Sequence, residues 1–594
     1  ARVRAMSVAE IARRLEDRFG LLRGGPRDAP ERHQTLEAVV DWSWNLLEPA
    51  GQAAMRVLSV FPGGFTADAA RKLLGDRAVD VSQVLEHLVD QSLLQVADTP
   101  TGARFRMLET VREFSTARRE AAGETDRAVG GFLAWARDFG VAHHESPFGA
   151  DPYSSVERIR AEQDNLAQAL RQGLGQADGA TVAAAAAVLG GVWVVDSSST
   201  RMVTLIQDTA WILSHYRPDP ELVEVTRTAV TLSAAYTFVT QGPRTLRPMV
   251  TLRRLPPGPP NTVIGAFARV LNTAPEFLGP DRSALEALCQ SDEPVLAGIA
   301  NGFASFVWEN EGDLDSALKA ARRMLEPFEN QQPPTPWMQS LAHSRISELC
   351  MQVDQGDEAQ RHLKAALAIQ EEFGERSDAL GTRWGLVLAN LQLGAIDEAE
   401  HWLELAVLHQ VDDAGGTFAY ELSVRAEILL ARGEVEAGLR LWRRAVDLLT
   451  NAGGRIFGID MGPGQEPWTL EAKAVAVVAH AHHGRLDVVE ELTGELSDGL
   501  STLLTNPVGQ PPYLVEFPLC GALLLALAMV DLDRGARAGH ERATRSGARM
   551  VALAERFRFL RGFQPTMSST RARHAAEQAD RSAYDDAVSS YADL

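Results

Sequence analysis

Leu93-Leu94-Gln95-Val96, then Asp98-Thr99-Pro100-Thr101-Gly102, then Arg104-Phe105-Arg106-Met107-Leu108 is the stretch on which the reading of this chain turns. Two short apolar runs flank a Pro/Gly turn, which predicts a β-hairpin. Working back from it, Leu36, Val39, Val40, Trp44 and Leu47 share one face of an amphipathic helix that Pro49 stops. Ala50 to Val60 makes a second helix, closed by Pro62-Gly63-Gly64. Thr66 caps a third that runs to Leu74, and Val81 to Val89 makes a fourth. From Glu109 the pattern returns to helix. Helices, then a hairpin, then helix is the order of a winged helix, and residues 31–125 are expected to form one.

Four motifs in this region carry a resemblance: Arg32-His33-Gln34-Thr35-Leu36, Asp41-Trp42-Ser43-Trp44, Phe61-Pro62-Gly63-Gly64-Phe65 and Met107-Leu108-Glu109-Thr110-Val111-Arg112-Glu113. They resemble the winged-helix module that follows the nucleotide-binding domain of bacterial STAND ATPases, above all the large antibiotic regulatory proteins (SARP) of actinobacteria and their LuxR-type relatives. Glu162-Gln163-Asp164-Asn165-Leu166 resembles the segment that follows that module. The resemblance implies an intramolecular clamp on an ATPase domain rather than a DNA reader. It also sets Met107, Leu108 and Glu109 at the place of a Met-His-Asp nucleotide-sensor motif. Leu108 cannot donate the hydrogen bond of the histidine it replaces and reads as core.

Residues 1–30 are expected to be the terminal helix of that nucleotide-binding region. Ser7 and Glu10 make a capping box, Val8, Ile11, Ala12 and Leu15 follow at helical spacing, and Gly24-Gly25-Pro26 ends the segment. The chain contains no Gly-x-x-x-x-Gly-Lys-Ser/Thr, so it offers no phosphate-wrapping loop. No cofactor is expected on these residues. ATP or ADP is expected on the missing nucleotide-binding domain, and a DNA-binding part is expected to precede residue 1. The chain is read as a non-enzyme.

Charge separates the chain into two parts. Residues 1–120 hold 17 Lys+Arg and 17 Asp+Glu, whereas the remainder holds 41 and 62, which accounts for the whole net charge of −21. Phosphate contacts need clustered cations. Arg104, Arg106, Arg112, Arg118 and Arg119 are interleaved with Glu109, Glu113 and Glu120, so direct nucleic-acid binding by this part is not expected. Three cysteines far apart give no disulfide framework, and the longest apolar run, Val182 to Val195, is too short to span a bilayer. A cytoplasmic protein is expected.

Beyond residue 125 the chain is Ala-rich and helical. Residues 126–300 are read as a helical linker and first hairpins, and residues 301–594 as a tetratricopeptide-like sensor domain. Gly312, Gly356, Gly394, Gly433 and Gly484, at spacings of 44, 38, 39 and 51, each sit before a short acidic turn and a second helix. Arg534-Gly535-Ala536 is read as a last, degenerate turn. Such hairpins stack into a superhelix with a concave groove. The fold class is therefore mainly α: a small winged-helix domain followed by a tetratricopeptide-like α-superhelix.

Setting each turn glycine at the repeat's turn position puts His343, Trp384, Tyr420 and Glu427 on the groove side of first helices, as candidate contacts for a small-molecule or protein signal. The intact protein is expected to form homo-oligomers, and the other expected partner is its own nucleotide-binding domain. A free-standing scaffold for protein segments is the alternative. His480, His482 and His483 are explained by a helix C-terminus, which favours positive charge. His143-His144-Glu145 lacks zinc-ligand spacing, so no metal is expected.

Overall fold

The computed structural model describes residues 36–75, 80–149, 151–241, 246–277, 281–330, 334–374, 378–408, 416–451, 466–505, 517–559 and 561–591. The expected helix at 1–30 lies outside them, as does most of Arg32–Leu36. The described residues are mainly helical and fall into two compact units. One comprises Ala1–Pro147, Tyr153–Val192 and Asp208–Ala229; the other comprises Phe148–Pro152, Trp193–Gln207 and Val230–Leu594.

In the first unit the winged helix forms as its local signals dictate. Helix α1 spans Leu36–Asn45, and α2 spans Pro49–Leu58 with Pro49 as its first residue, where the missing N–H costs nothing. Strand β1 (Phe65–Thr66) leads into α3 (Ala67–Leu74), capped by Thr66 Oγ1 accepting from Ala69 N at 3.2 Å. Asp80 caps α4, Val81–Asp90. Strands β2 (Gln95–Thr99) and β3 (Gly102–Arg106) form the hairpin, and α5 runs Glu109–Ala121.

The hairpin starts two residues later than its apolar pattern suggests. Leu93 and Leu94 are buried in the helical core, and it is the polar-flanked residues after them that pair. The two-residue β1, too short to read from sequence, joins β3 antiparallel and places Phe65 opposite Phe105, so the sheet order is β1-β3-β2.

Two further helices follow in this unit: α6 (Thr125–His143) and α7 (Pro152–Gln176). Phe132 and Trp135 of α6 meet Phe61 edge-on, at centroid distances of 5.2 and 5.1 Å. The compact units therefore do not divide at residue 125. Helix α8 (Gly179–Val195) is the apolar run noted above, buried on every side from Val182 to Leu189. Such a helix belongs in a protein core, and it is approached closely at Gly140, where an added Cβ would lie 2.7 Å from Ala184.

The second unit is built largely of antiparallel helix pairs: 294–310 with 314–330, 336–352 with 356–372, 378–392 with 396–408, 416–431 with 435–451, 467–482 with 490–505, and 517–538 with 541–556. Gly312, Gly394, Gly433 and Gly484 take positive φ (79°, 72°, 82° and 66°) just past a first helix. The next amide then reaches back to close each helix end: Asp313 to Trp308, Ala395 to Asn390, Glu434 to Leu429 and Arg485 to His480, at 2.8–2.9 Å.

Two expected turns are corrected. At the second pair Asp354 takes the left-handed position (φ 59°), and Gly356 is instead the first residue of the next helix. At the last pair Gly539 (φ 66°) makes the turn, while Gly535 lies within the helix, where Thr544 packs too close for a side chain. First helices are buried nearly all round, as in Thr469–His480, whereas second helices bury one stripe, as in Gly438, Leu439, Trp442, Ala445 and Val446.

Candidate functional site

Helix 336–352 begins with Pro336 and carries no single apolar stripe. Trp337, Leu341, Ser344, Glu348 and Met351 recur at three- and four-residue spacing and face a cavity of about 1000 Å³ inside the second unit. Other first helices add Phe306, Gly381, Gly385 and Tyr420, and the loop after residue 556 closes the cavity with Arg561 and Phe563. The volume suits a small organic ligand.

The polar side of the cavity is organised by Arg345, only 5% exposed. Its guanidinium lies 3.8 Å from the Phe306 ring centroid and donates to Glu309 Oε2 at 2.5 Å, Glu348 Oε2 at 3.1 Å and Ser305 Oγ at 3.0 Å. Gln352 Nε2 donates to the other oxygen of Glu309 at 2.6 Å, which fixes the amide's orientation. Gln352 Oε1 is buried without a hydrogen-bond partner, as are Thr231 Oγ1 and Arg561 Nε, and all three side chains line the cavity. Glu348 lines the cavity with 60% of its side-chain surface exposed. Burial raises its pKa, against the pull of Arg345.

The four groove candidates occupy different places. Tyr420 lines the cavity and meets Trp384 edge-on at 5.4 Å. Trp384 itself is turned away. Gly381, Thr382, Gly385 and Leu388 form the cavity face of its helix, whereas Trp384 packs into the core with Val387 and Leu391, its Nε1 unpartnered. His343 is off the cavity stripe and half-buried, its Nδ1 2.8 Å from His362 Nδ1. Desolvation lowers the pKa of both rings, that of His362 to about 4.

Glu427 lies two helical turns beyond Tyr420 on the same face, but there the groove is filled by the chain's own loop. The carboxylate is fully buried and accepts from Trp442 Nε1 (2.7 Å), Thr566 N (2.9 Å) and Thr566 Oγ1 (2.7 Å). Glu427 is therefore a core anchor. Sequence reasoning missed Arg345, Glu309, Glu348 and Gln352; the signal available was Arg345 and Glu348, one turn apart in a first helix that carries no single apolar stripe.

The nucleotide-sensor equivalent is arranged differently from its reading as core. Met107 is buried, but Leu108 is 48% exposed, because it occupies the N-cap of α5 where the chain leaves the sheet. Glu109 pairs with Arg112 at 2.7 Å. The clustered histidines also need correction. Desolvation lowers the pKa of His480, His482 and His483, that of His482 to about 3, so charge at a helix end does not account for them. His480 instead pairs through Nδ1 with Ala476 O at 2.7 Å and through Nε2 with Arg443 at 2.8 Å.

Among the described residues no group of three His, Cys, Asp or Glu side chains is placed to hold a metal, and no helix is long and apolar enough to cross a membrane. Burial pushes the Cys289 and Cys350 thiols up to about 12.

Residues 47–120 match the winged helix-turn-helix domain family. A Mycobacterium tuberculosis protein named as a candidate HTH-type transcriptional regulator is 40% identical over 172 residues, covering 28% of this chain and 19% of that protein. An uncharacterized Mycobacterium bovis protein is 34% identical over 133 residues, covering 22% of this chain and 34% of that protein. The chain thus spans about a fifth to a third of the length of these curated relatives. Among solved structures, a Signal Transduction ATPase with Numerous Domains protein with a tetratricopeptide repeat sensor, from Pyrococcus horikoshii, is similar at 13% identity with a TM-score of 0.31, over 100% of this chain and 72% of that one.

Proposed function

We propose that this chain is the switch and sensor part of a STAND-type transcriptional activator, of the kind that controls antibiotic biosynthesis. The winged helix acts as an intramolecular clamp on an ATP- or ADP-binding domain, and the helical repeats read a signal that sets NTP-dependent oligomerisation. The observation that carries this reading is the cavity: a large, partly open space, lined by rings and charged groups, in the part of the chain where packing alone would favour a filled core. A signal acts by binding the off and on states with different affinity. Nucleic-acid contact by this part is not included, because the winged helix, residues 31–125, carries 10 Lys+Arg against 14 Asp+Glu and presents no excess of cations.

The alternative, a scaffold for protein segments, is favoured by one feature. The loop through Phe563 and Thr566, a compact turn closed by Met567 N donating to Phe563 O at 2.7 Å, already fills part of the groove as a bound protein segment would. Thermal unfolding of the chain against nucleotides and a metabolite panel from an antibiotic-producing strain separates the two. A saturable metabolite shift that Tyr420→Ala abolishes supports sensing. A shift with ATP or ADP alone contradicts the absence of a nucleotide site, and no shift with any compound leaves the scaffold.

A further inference from the structure

Resting on the sensor reading, we infer that the cavity takes a hydrophobic organic amine, with its ammonium group at Glu348, Glu309 and Gln352 and its apolar body among Trp337, Phe267 and Tyr420.

Three observations converge. The first is charge. The lining carries Glu309, Glu348 and Glu471 against Arg345 and Arg561. Both guanidiniums already hold carboxylates: Arg345 is bonded to Glu309 and Glu348, and Arg561 is paired with Asp354 outside the lining, which leaves only its Nε without a partner. The wall is thus negative, and an incoming carboxylate or phosphate would have to break an existing ion pair.

The second is hydrogen-bond capacity. Gln352 Oε1 is an acceptor, more than nine-tenths buried and unpartnered, and its orientation is fixed by the Nε2 bond to Glu309. Arg345 occupies only Oε2 of Glu348. A primary ammonium brings three donors to such acceptors. The third is the rest of the surface. Phe148, Tyr236, Phe267, Trp337, Tyr420 and Phe563 supply π-faces that attract a cation and bury its hydrocarbon.

The test uses two fluorescent tricycles of matched shape, 9-(aminomethyl)anthracene, a primary ammonium at neutral pH, and anthracene-9-carboxylate, an anion, titrated into the full chain. Saturable binding of 9-(aminomethyl)anthracene, at least tenfold tighter than anthracene-9-carboxylate, is expected. Glu348→Gln should weaken the cation at least tenfold and leave the unfolding temperature within a few degrees. Glu398→Gln, an exposed position away from the cavity, should change neither value and controls for the acidic surface. Gly381→Leu places its side chain in the open cavity, where an added Cβ meets nothing within 4 Å; it should abolish binding while the protein stays folded.

Equal or tighter binding of the carboxylate overturns the amine assignment and leaves a small-molecule cavity standing. Unchanged cation affinity in Glu348→Gln or Gly381→Leu overturns the placement. Binding of neither tricycle, with no thermal shift from either, overturns both the assignment and the sensor reading beneath it.

Discussion

Glu427 shows how a single residue can be placed on the right helical face and still be misread. Its position seven residues after Tyr420 puts it on the groove side, but what covers that side comes from residue 566, and no local pattern reports a partner 139 positions away. Burial raises its pKa while three donors hold the carboxylate in place. Removing the carboxylate strands those donors inside the protein, at a cost of about 1–3 kcal/mol each before relaxation. Glu427→Ala should therefore destabilise the chain by about 3 kcal/mol in urea denaturation. Thr566→Val, which removes only the hydroxyl, should cost about 1 kcal/mol. Equal stability of Glu427→Ala and wild type would mean that the loop does not close over this carboxylate.

Among the elements, those set by local chemistry were legible and those set by distant contacts were not. Pro49, Thr66 and the Asp98–Gly102 turn marked α2, α3 and the wing because caps and turns are decided within a few residues. The glycine pattern revealed the helix pairs for the same reason, and failed at Gly356 and Gly535, where the glycine serves close packing and another residue turns the chain.

The junction of the wing with α7 was invisible. Arg104 forms a two-pronged pair with Glu162 at 2.7 and 3.0 Å, the arginine side chain 12% and the glutamate 5% exposed. Arg104 also donates to Gly63 O and Gly64 O, while Asn165 accepts from Gly63 N and donates to Gly64 O. Breaking a buried pair by removing one partner costs about 3–5 kcal/mol. Arg104→Ala and Glu162→Ala should each cost that much, and the double variant clearly less than their sum, in a double-mutant cycle read by denaturation. Additive losses would show that the two side chains act independently. Gly64→Ala should be worse than Gly394→Ala. Both have positive φ, but only at Gly64 would the new Cβ fall 2.5 Å from a carbonyl oxygen, that of Phe105. For Gly394→Ala the conformational term alone, about 1 kcal/mol, is expected.

At the scale of the whole molecule, the buried histidines make folding less favourable on acidification, whereas protonation of the excess acidic charge relieves self-repulsion and acts the other way. His144 in the first unit has a pKa lowered to about 4, and His362 and His482 in the second have values of about 4 and 3, in each case chiefly because burial disfavours the charged ring. An unfolded histidine titrates near 6.5. Between these values the unfolded chain binds protons that the folded chain does not, so folding stability rises with pH across this range. The contribution of the neutral rings is complete above about pH 6.5 and is lost as pH falls toward 4 and below. Unfolding temperature should thus decline from pH 7 to pH 4, before the bulk of the carboxylates is protonated. His144→Gln, which keeps a polar group near Thr228 Oγ1 (now 2.7 Å from the ring), should flatten that decline. The contrast is with His215, an exposed ring, where His215→Gln should leave the slope as it is. Identical slopes for wild type and His144→Gln would assign the acid sensitivity to paired carboxylates instead of to burial of neutral rings.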